Sequence, residues 1–280
     1  MLEVVAGADQ PSVVLRPTSL RFAVIGDSGR WSTVQRETAA QLAAQRELFD
    51  FDFVLMLGDN HYGDGSPESY RIRFESPFKP LIDDGVAFYA VLGNHDPGSQ
   101  PHYPLFRMAG HRYYTFERRG GLPPVAGERV QFFAVDTVNL DDDQISWLDR
   151  ELSTSRASWK IVFQHHPLYT SGRYALSASV RRRVLEQVFI EHQVDVVFAG
   201  HEHVYERLVP QSGVMYFVAG ASGSARVGDL RPSRYHAAGY DRDLSFMLVE
   251  IARDTMYFTA TNRLGQIVDQ GKIVRRKASS

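Results

Sequence analysis

Apolar residues in this chain gather in short runs separated by polar, glycine-rich breaks. The first clear run is Leu20-Arg21-Phe22-Ala23-Val24-Ile25, which predicts a strand closed by Gly26-Asp27-Ser28-Gly29. Ser32 followed by Gln35 has the spacing of a capping box, and a helix is expected from there to about Phe49, with Val34, Leu42 and Leu48 as its apolar positions. A second strand is expected over 51–57 and a third over 86–91, with a helix near 68–75 and a short one near 77–82 between them. Strands follow over 113–118 and 129–135. A helix over 141–152 is capped by Asp141, carries Gln144 at the box position and turns Ile145, Leu148 and Leu152 inward. The pattern then gives a strand at 159–164, a helix at 177–192 with Val180, Val184, Leu185 and Val188 inward, and a strand at 194–199. Closely spaced short strands at 204–209, 214–218, 244–251, 256–261 and 266–274 suggest an antiparallel meander.

The alternation of strand, helix and strand in the first half is the βαβ signature and predicts parallel pairing there. Residues 1–19, with Pro11 and Pro17, read as an extended or loosely docked arm, and 20–276 as one domain. The stretch 220–243, rich in Gly, Arg and Ser, reads as a mobile lid or rim. Internal repeats and low-complexity segments are absent from the sequence.

Composition narrows the chemistry. With 280 residues, 44% of them hydrophobic and 23% charged, the chain suits an ordinary globular protein. A formal net charge of -2 argues against a nucleic-acid surface driven by bulk charge. There is no cysteine, so any metal must be held by nitrogen and oxygen ligands. No apolar run approaches the roughly 20 residues of a membrane span. The N-terminus lacks the basic start and apolar stretch of a signal peptide, so the chain is expected in the cytoplasm, or secreted or periplasmic after loss of a leader. Nothing in the pattern speaks to oligomeric state.

The expected strands end in a recurring way. Asp27, Asp59 with Tyr62, Asn94 with His95, His165, and His201 with His203 each follow directly on a β-rich run. In an open α/β sheet, ligands bind outside the carboxyl ends of strands, so these groups can face one crevice. Their number fits two metals sharing a bridging carboxylate, a device that clamps attacking and leaving oxygens in phosphoryl transfer and yields hydroxide near neutral pH. Gly26, Gly58, Gly93 and Gly200 each precede one of these groups, as expected where a backbone turns sharply beside a bound ligand.

The segments Gly26-Asp27-Ser28-Gly29, Gly58-Asp59-Asn60-His61-Tyr62, Gly93-Asn94-His95-Asp96, Val162-Phe163-Gln164-His165 and Gly200-His201-Glu202-His203, in that order, resemble the calcineurin-like metallophosphoesterase superfamily. More narrowly they resemble purple acid phosphatases, whose pattern runs DxG, GDxxY, GNH(D/E), VxxH, GHxH. Most of the superfamily has DxH in the first motif. Here Gly29 replaces that histidine, and Tyr62 stands where purple acid phosphatases place a compensating tyrosine. The resemblance covers roughly residues 20–220.

The resemblance implies an α/β fold with a two-sheet β-sandwich core flanked by helices, four layers in the order α/β/β/α. It implies one metal, Fe(III), on Asp27, Asp59, Tyr62 and His203, and a second, Fe(II), Zn(II) or Mn(II), on Asp59, Asn94, His165 and His201. Phenolate and carboxylates suit the harder ion, and imidazoles with an amide oxygen suit the softer one. His95 is expected beside the substrate phosphate as a hydrogen-bond or proton donor, with Asn94 next to it. His166 faces the substrate or packs, and His61 and Asp136 are expected in structural roles. A further histidine found in many purple acid phosphatases nine or ten residues past the fourth-motif ligand is missing. Tyr174 and Ala175 hold those places, with Arg173 adjacent as a candidate for binding phosphate. His95, His166, Tyr174 or a metal-bound water is left to serve as general acid.

The implied activity is hydrolysis of small-molecule phosphate monoesters by a metal-held hydroxide. A phosphodiesterase or nucleotidase on the same metals is the alternative. A non-catalytic scaffold is disfavoured because all seven ligand positions hold suitable residues. Arg226, Arg231, Arg234 and His236 add positive charge if 220–243 folds over the crevice.

Overall fold

The computed structural model describes residues 2–6, 16, 18–121 and 127–275. The first half of the chain runs β1 (Leu2–Ala6), β2 (Leu20–Ile25), α1 (Thr33–Phe49), β3 (Phe53–Met56), α2 (Pro67–Tyr70), a π-helical turn (Arg71–Glu75), α3 (Ser76–Asp83) and β4 (Ala87–Ala90). It continues through β5 (Tyr114–Arg119), β6 (Arg129–Val135), α4 (Asp142–Thr154), β7 (Trp159–Gln164), α5 (Ala175–Glu191) and β8 (Val196–Ala199). The last third is β9 (Tyr205–Leu208), β10 (Met215–Ala219), β11 (His236–Tyr240), β12 (Ser245–Ala252), β13 (Thr255–Asn262) and β14 (Ile267–Arg275).

The strands form two seven-stranded sheets, ordered β1-β14-β13-β12-β2-β3-β4 and β11-β9-β10-β8-β7-β6-β5. Each has a parallel centre: β2 with β3 and β3 with β4 in one, β6 with β7, β7 with β8 and β8 with β10 in the other. Alternate residues explain why these strands read as unbroken apolar runs. Phe22, Val24, Phe53 and Leu55 meet Phe132, Ile161, Phe163 and Phe198 between the sheets. Their neighbours Ala23, Ile25, Val54 and Met56 pack outward on Ala39 and Leu42 of α1 and on Phe74, Phe78 and Leu81. On the other sheet Phe133, Val135, Val162 and Val197 pack on Leu148 and Leu152 of α4 and Leu185 and Phe189 of α5. Both faces of these central strands are covered, so both sets of alternating positions are apolar. The result is the four-layer arrangement expected. Aromatic rings knit its middle: Phe22 stacks on Phe53 at 5.2 Å, and Phe132 meets both edge-on at 5.4 Å.

Several expectations change. Within the arm over 1–19, expected as extended or loosely docked, β1 is an extended strand that pairs antiparallel with β14. The segment 220–243 contains β11, paired antiparallel with β9, so part of the expected lid is sheet edge. The expected meander is divided between the sheets: β9 and β10 stay in the second, whereas β12 crosses over to lie antiparallel against β2. Local strand spacing does not encode which sheet a strand joins. The two helices expected over 68–75 and 77–82 run on through the π-helical turn. On α5, Ala178, Leu185 and Phe189 face the core, while Val180 is 64% and Val184 40% exposed. That helix is apolar on more than one side, so periodicity did not define its buried face. On α1, Leu48 is exposed and the buried positions are Gln35, Thr38, Ala39 and Leu42.

Both capping boxes form by half. Ser32 Oγ accepts the Gln35 N–H at 3.1 Å, and Asp141 Oδ1 the Gln144 N–H at 2.9 Å. The glutamine side chains turn elsewhere: Gln35 donates to the Arg73 carbonyl, and Gln144 bridges the Asp136 N–H and carbonyl. Tertiary partners outcompete the local cap because each satisfies a buried backbone group.

Phe53→Ala removes the ring that Phe22, Phe132, Tyr89 and Phe116 all touch. A loss of about 4 kcal/mol in unfolding free energy is expected, read from the shift in urea midpoint.

Candidate metal centre

The turns that end β2, β3 and β8 share a backbone feature. Asp27, Asp59 and His201 all adopt positive φ, at 53°, 50° and 69°. Non-glycine residues are uncommon in this region, although Asp and His tolerate it better than most, and such backbone strain gathers at functional sites. Main-chain bonds stitch the turns together: Asp27 N–H donates to the Gly58 carbonyl at 3.0 Å and Gly29 N–H to the Asp59 carbonyl at 3.1 Å. Gly29 packs so closely on Asn60 that a Cβ would overlap its carbonyl group. The first motif therefore has no room for any side chain at this position. Gly93 lies equally close to Asp59, where a Cβ would overlap both the backbone nitrogen and Oδ1.

All seven residues expected as ligands come together, and their donor atoms fall in two groups. In the first, Tyr62 OH lies 2.8 Å from Asp59 Oδ2, 3.4 Å from Asp27 Oδ1 and 3.4 Å from His203 Nε2. His203 Nε2 is also 3.2 Å from Asp27 Oδ1. In the second, His165 Nε2 lies 3.0 Å from Asn94 Oδ1, 3.2 Å from His201 Nδ1 and 3.5 Å from Asp59 Oδ1. Asp59 therefore presents Oδ2 to one group and Oδ1 to the other.

The donor chemistry fits a pair of cations. Asp27 and Asp59 are buried, at 0% and 2% exposure, and among the described residues neither forms an ion pair with Lys or Arg. Two carboxylates removed from water without such a partner call for compensating positive charge. Burial, then the charges of Asp27 and Asp59, push the Tyr62 phenol far above its ordinary pKa, so only a cation between them would release its proton. Burial and the neighbouring His165 push His201 down to about 3, which keeps its imidazole neutral and able to ligate. Burial would raise Asp59, yet His165, the His95 N–H and Tyr62 together hold it below its ordinary value and so ionised.

Around these groups, supporting contacts set orientation. His165 Nδ1 lies 2.8 Å from the Leu57 carbonyl, and His203 Nδ1 2.6 Å from Ser224 Oγ. Asp27 Oδ2 accepts the His201 N–H at 2.8 Å. Asp96 accepts the Gly93 and His61 N–H groups, both at 2.8 Å, and pins the loop that carries Asn94. His61 is fully buried and stacks on Tyr70 at 4.3 Å, in a structural position. Asp136 holds its loop through Val138, Asn139 and Arg112.

The candidate substrate residues separate. His95 is exposed, donates its N–H to Asp59 Oδ1 at 2.8 Å, and lays its ring on Tyr62 at 4.8 Å. His166 is buried, with Nδ1 3.1 Å from Thr137 Oγ1 and its ring 4.3 Å from His201. Burial and the imidazoles of His165 and His201 push its pKa well down, so it is neutral. Arg173 reaches outward to Asp229 Oδ1 at 3.1 Å. Tyr174 lies over His201 at 4.5 Å, with the Arg226 guanidinium 5.3 Å from its own ring.

Three contributors escaped the sequence reading. Thr137 sits just beyond the β6 end and anchors His166 by its hydroxyl. Ser224 lies in the segment read as a lid. Glu202 stands between the two histidines of its motif, is fully buried, and accepts the Tyr174 N–H at 2.5 Å. Only its place inside the motif could have singled it out.

Residues 20–205 match the calcineurin-like phosphoesterase family. Purple acid phosphatase 7 of Arabidopsis thaliana is 26% identical over 290 residues, spanning 93% of this chain and 88% of that protein. Tartrate-resistant acid phosphatase type 5 of Homo sapiens is 26% identical over 299 residues, spanning 92% of each. Among solved structures, GAP50, the anchor in the inner membrane complex of Plasmodium, superposes with a TM-score of 0.80 at 17% identity, covering 94% of this chain and 90% of that one. The purple acid phosphatase PPD1 of yellow lupin superposes with a TM-score of 0.75 at 19% identity, covering 95% of this chain and 56% of that one. At these identities the structural likeness speaks to fold.

Two outcomes follow from the geometry. Gly93→Ala should displace the Asp59 carboxylate and lower bound metal per chain, measured by elemental analysis of folded protein. Burial pushes Glu202 up to about 7 from its ordinary 4.5, and among the described residues its Oε2 has no hydrogen-bond partner. The folded state keeps this proton where the unfolded chain loses it, so the contribution is full below pH 4.5 and is lost as pH rises towards 7. Glu202→Gln should flatten that pH dependence, seen in unfolding free energies of the metal-free protein across this range.

Proposed function

The chain belongs to the calcineurin-like phosphoesterase family as a purple acid phosphatase-like member, and from that premise we propose that it hydrolyses small phosphate monoesters at a dinuclear metal centre. The observation that carries this reading is Asp59, with one carboxylate oxygen facing each donor group. Asp27, Asp59, Tyr62 and His203 would hold one cation, best Fe(III) given a phenol and two carboxylates. Asp59, Asn94, His165 and His201 would hold the other, as Fe(II), Zn(II) or Mn(II). Bound there, the metals would supply a water acidic enough to attack phosphorus and would offset charge on the phosphoryl oxygens.

The chain's own residues do the rest. Asp59 fixes the spacing of the two donor groups. His95, exposed on the Asn94 loop with its main chain tied to Asp59, can donate a hydrogen bond to a phosphate oxygen or a proton to the leaving oxygen. His166, buried and neutral, suits a positioning role: it holds His201 by ring contact while Thr137 holds it. Arg173, engaged by Asp229, would meet a phosphate only by exchanging that partner.

Protein loaded with iron should show a visible charge-transfer band that disappears in Tyr62→Phe. Asp27→Asn and His201→Ala should each lower turnover of p-nitrophenyl phosphate by more than about 100-fold, since ligands matter at least as much as the residues that orient them. Preference for bis(p-nitrophenyl) phosphate over the monoester would overturn the monoesterase reading in favour of a diesterase.

A further inference from the structure

Beside the first donor group lies an open cleft of about 850 Å³ whose lining includes Tyr62 and His203. Four arginines line it as well: Arg30, Arg73, Arg226 and Arg242. Its one acidic lining residue, Asp243, is taken up by Arg263 Nε at 2.7 Å. Among the described residues none of the four arginines has a carboxylate within ion-pair distance. Apart from the charge of Glu202, which Arg226 feels without an ion pair, their other contacts are weak or neutral. Arg30 lies 4.1 Å over the Tyr62 ring, Arg73 Nε is 3.3 Å from Ser69 Oγ, and among the described residues one terminal nitrogen of Arg226 is buried without a hydrogen-bond partner. At the rim, Trp31 is 59% exposed.

This concentration of unpaired guanidinium groups exceeds what one phosphate at the metal centre needs. Such a cleft focuses positive potential, and each guanidinium presents a planar fork matched to phosphate oxygens. We propose that this cleft is a binding subsite for a second phosphate, so that the preferred substrates are small organic molecules carrying two phosphate groups. The proposal rests on the phosphatase reading for the fate of the first phosphate. That group sits at the metal centre, the second lies among Arg30, Arg73, Arg226 and Arg242, and the exposed face of Trp31 offers an apolar wall to the organic portion between them. In the reaction, water gives its oxygen to phosphorus and the bond from phosphorus to the leaving oxygen breaks. That oxygen takes up a proton, releasing inorganic phosphate and an alcohol that retains the second phosphate.

The test uses metal-loaded protein and two matched pairs of compounds. In calorimetric titration, the wild type should bind methylenediphosphonate at least about tenfold more tightly than methylphosphonate. That ratio should fall about tenfold in Arg242→Gln and about a hundredfold in the Arg30→Gln, Arg242→Gln pair, both side chains being exposed. A preference arising from metal chelation alone would survive unchanged in both variants, and that result would overturn the proposal. In parallel, the ratio of kcat/KM for a propanediol bisphosphate over propyl phosphate should fall by similar factors. If neither ester is hydrolysed by the wild type, the phosphatase reading fails, while the titration still decides the subsite. If both are hydrolysed with ratios indifferent to the arginines, the subsite fails and the phosphatase reading stands.

Discussion

Asp27 and Asp59 put two carboxylates, wholly or almost wholly out of water, at the carboxyl ends of neighbouring parallel strands. No lysine or arginine side chain pairs with them among the described residues, and the groups that do approach are imidazoles, a phenol and main-chain N–H groups. A fold that buries this much negative charge needs cations to offset it. Much of the surrounding structure serves that need. Three turns accept left-handed backbone at non-glycine residues, Gly29 and Gly93 give up their side chains so that loops can close on Asp59, and Asp96 and Ser224 fix the groups that approach from either side.

The sandwich makes such precision affordable. Strands β2, β3 and β4 are covered on one face by the opposite sheet and on the other by α1 and α3, so their ends cannot shift independently. The second sheet holds β7 and β8 in the same way between the sandwich interior and helices α4 and α5. The donor groups come from both sheets: Asp27, Asp59 and Asn94 from the first, His165, His201 and His203 from the second. The centre therefore lies across the seam of the sandwich. Packing of the two sheets on one another brings these residues together, and Asp59 spans the two donor groups.

That the same architecture is found in a Plasmodium membrane-complex anchor and in a plant phosphatase shows how little fold alone says about activity. What distinguishes a catalytic member is the donor set and the charge around it. In this chain all seven residues proposed as ligands lie together and the adjoining cleft is lined with arginine, so the chemical argument lies at the strand ends and in the cleft wall.

The sequence by itself determined the strands that carry the candidate site and the order of the residues proposed as its ligands. Each of these residues follows an apolar run so closely that local pattern and motif coincide, and parallel pairing follows from strand–helix–strand alternation. It also fixed the absence of thiolate ligands. Tertiary structure decided what depends on contacts distant in the chain. It sent Gln35 and Gln144 away from their local caps, turned Val180 and Val184 outward, drew β1 and β12–β14 into the first sheet and β11 into the second, and made Ser224 a partner of His203. Hydrophobic periodicity records that a residue is buried by something. Which element buries it, and which polar group reaches across to complete a hydrogen bond, is settled only when the two sheets close on one another.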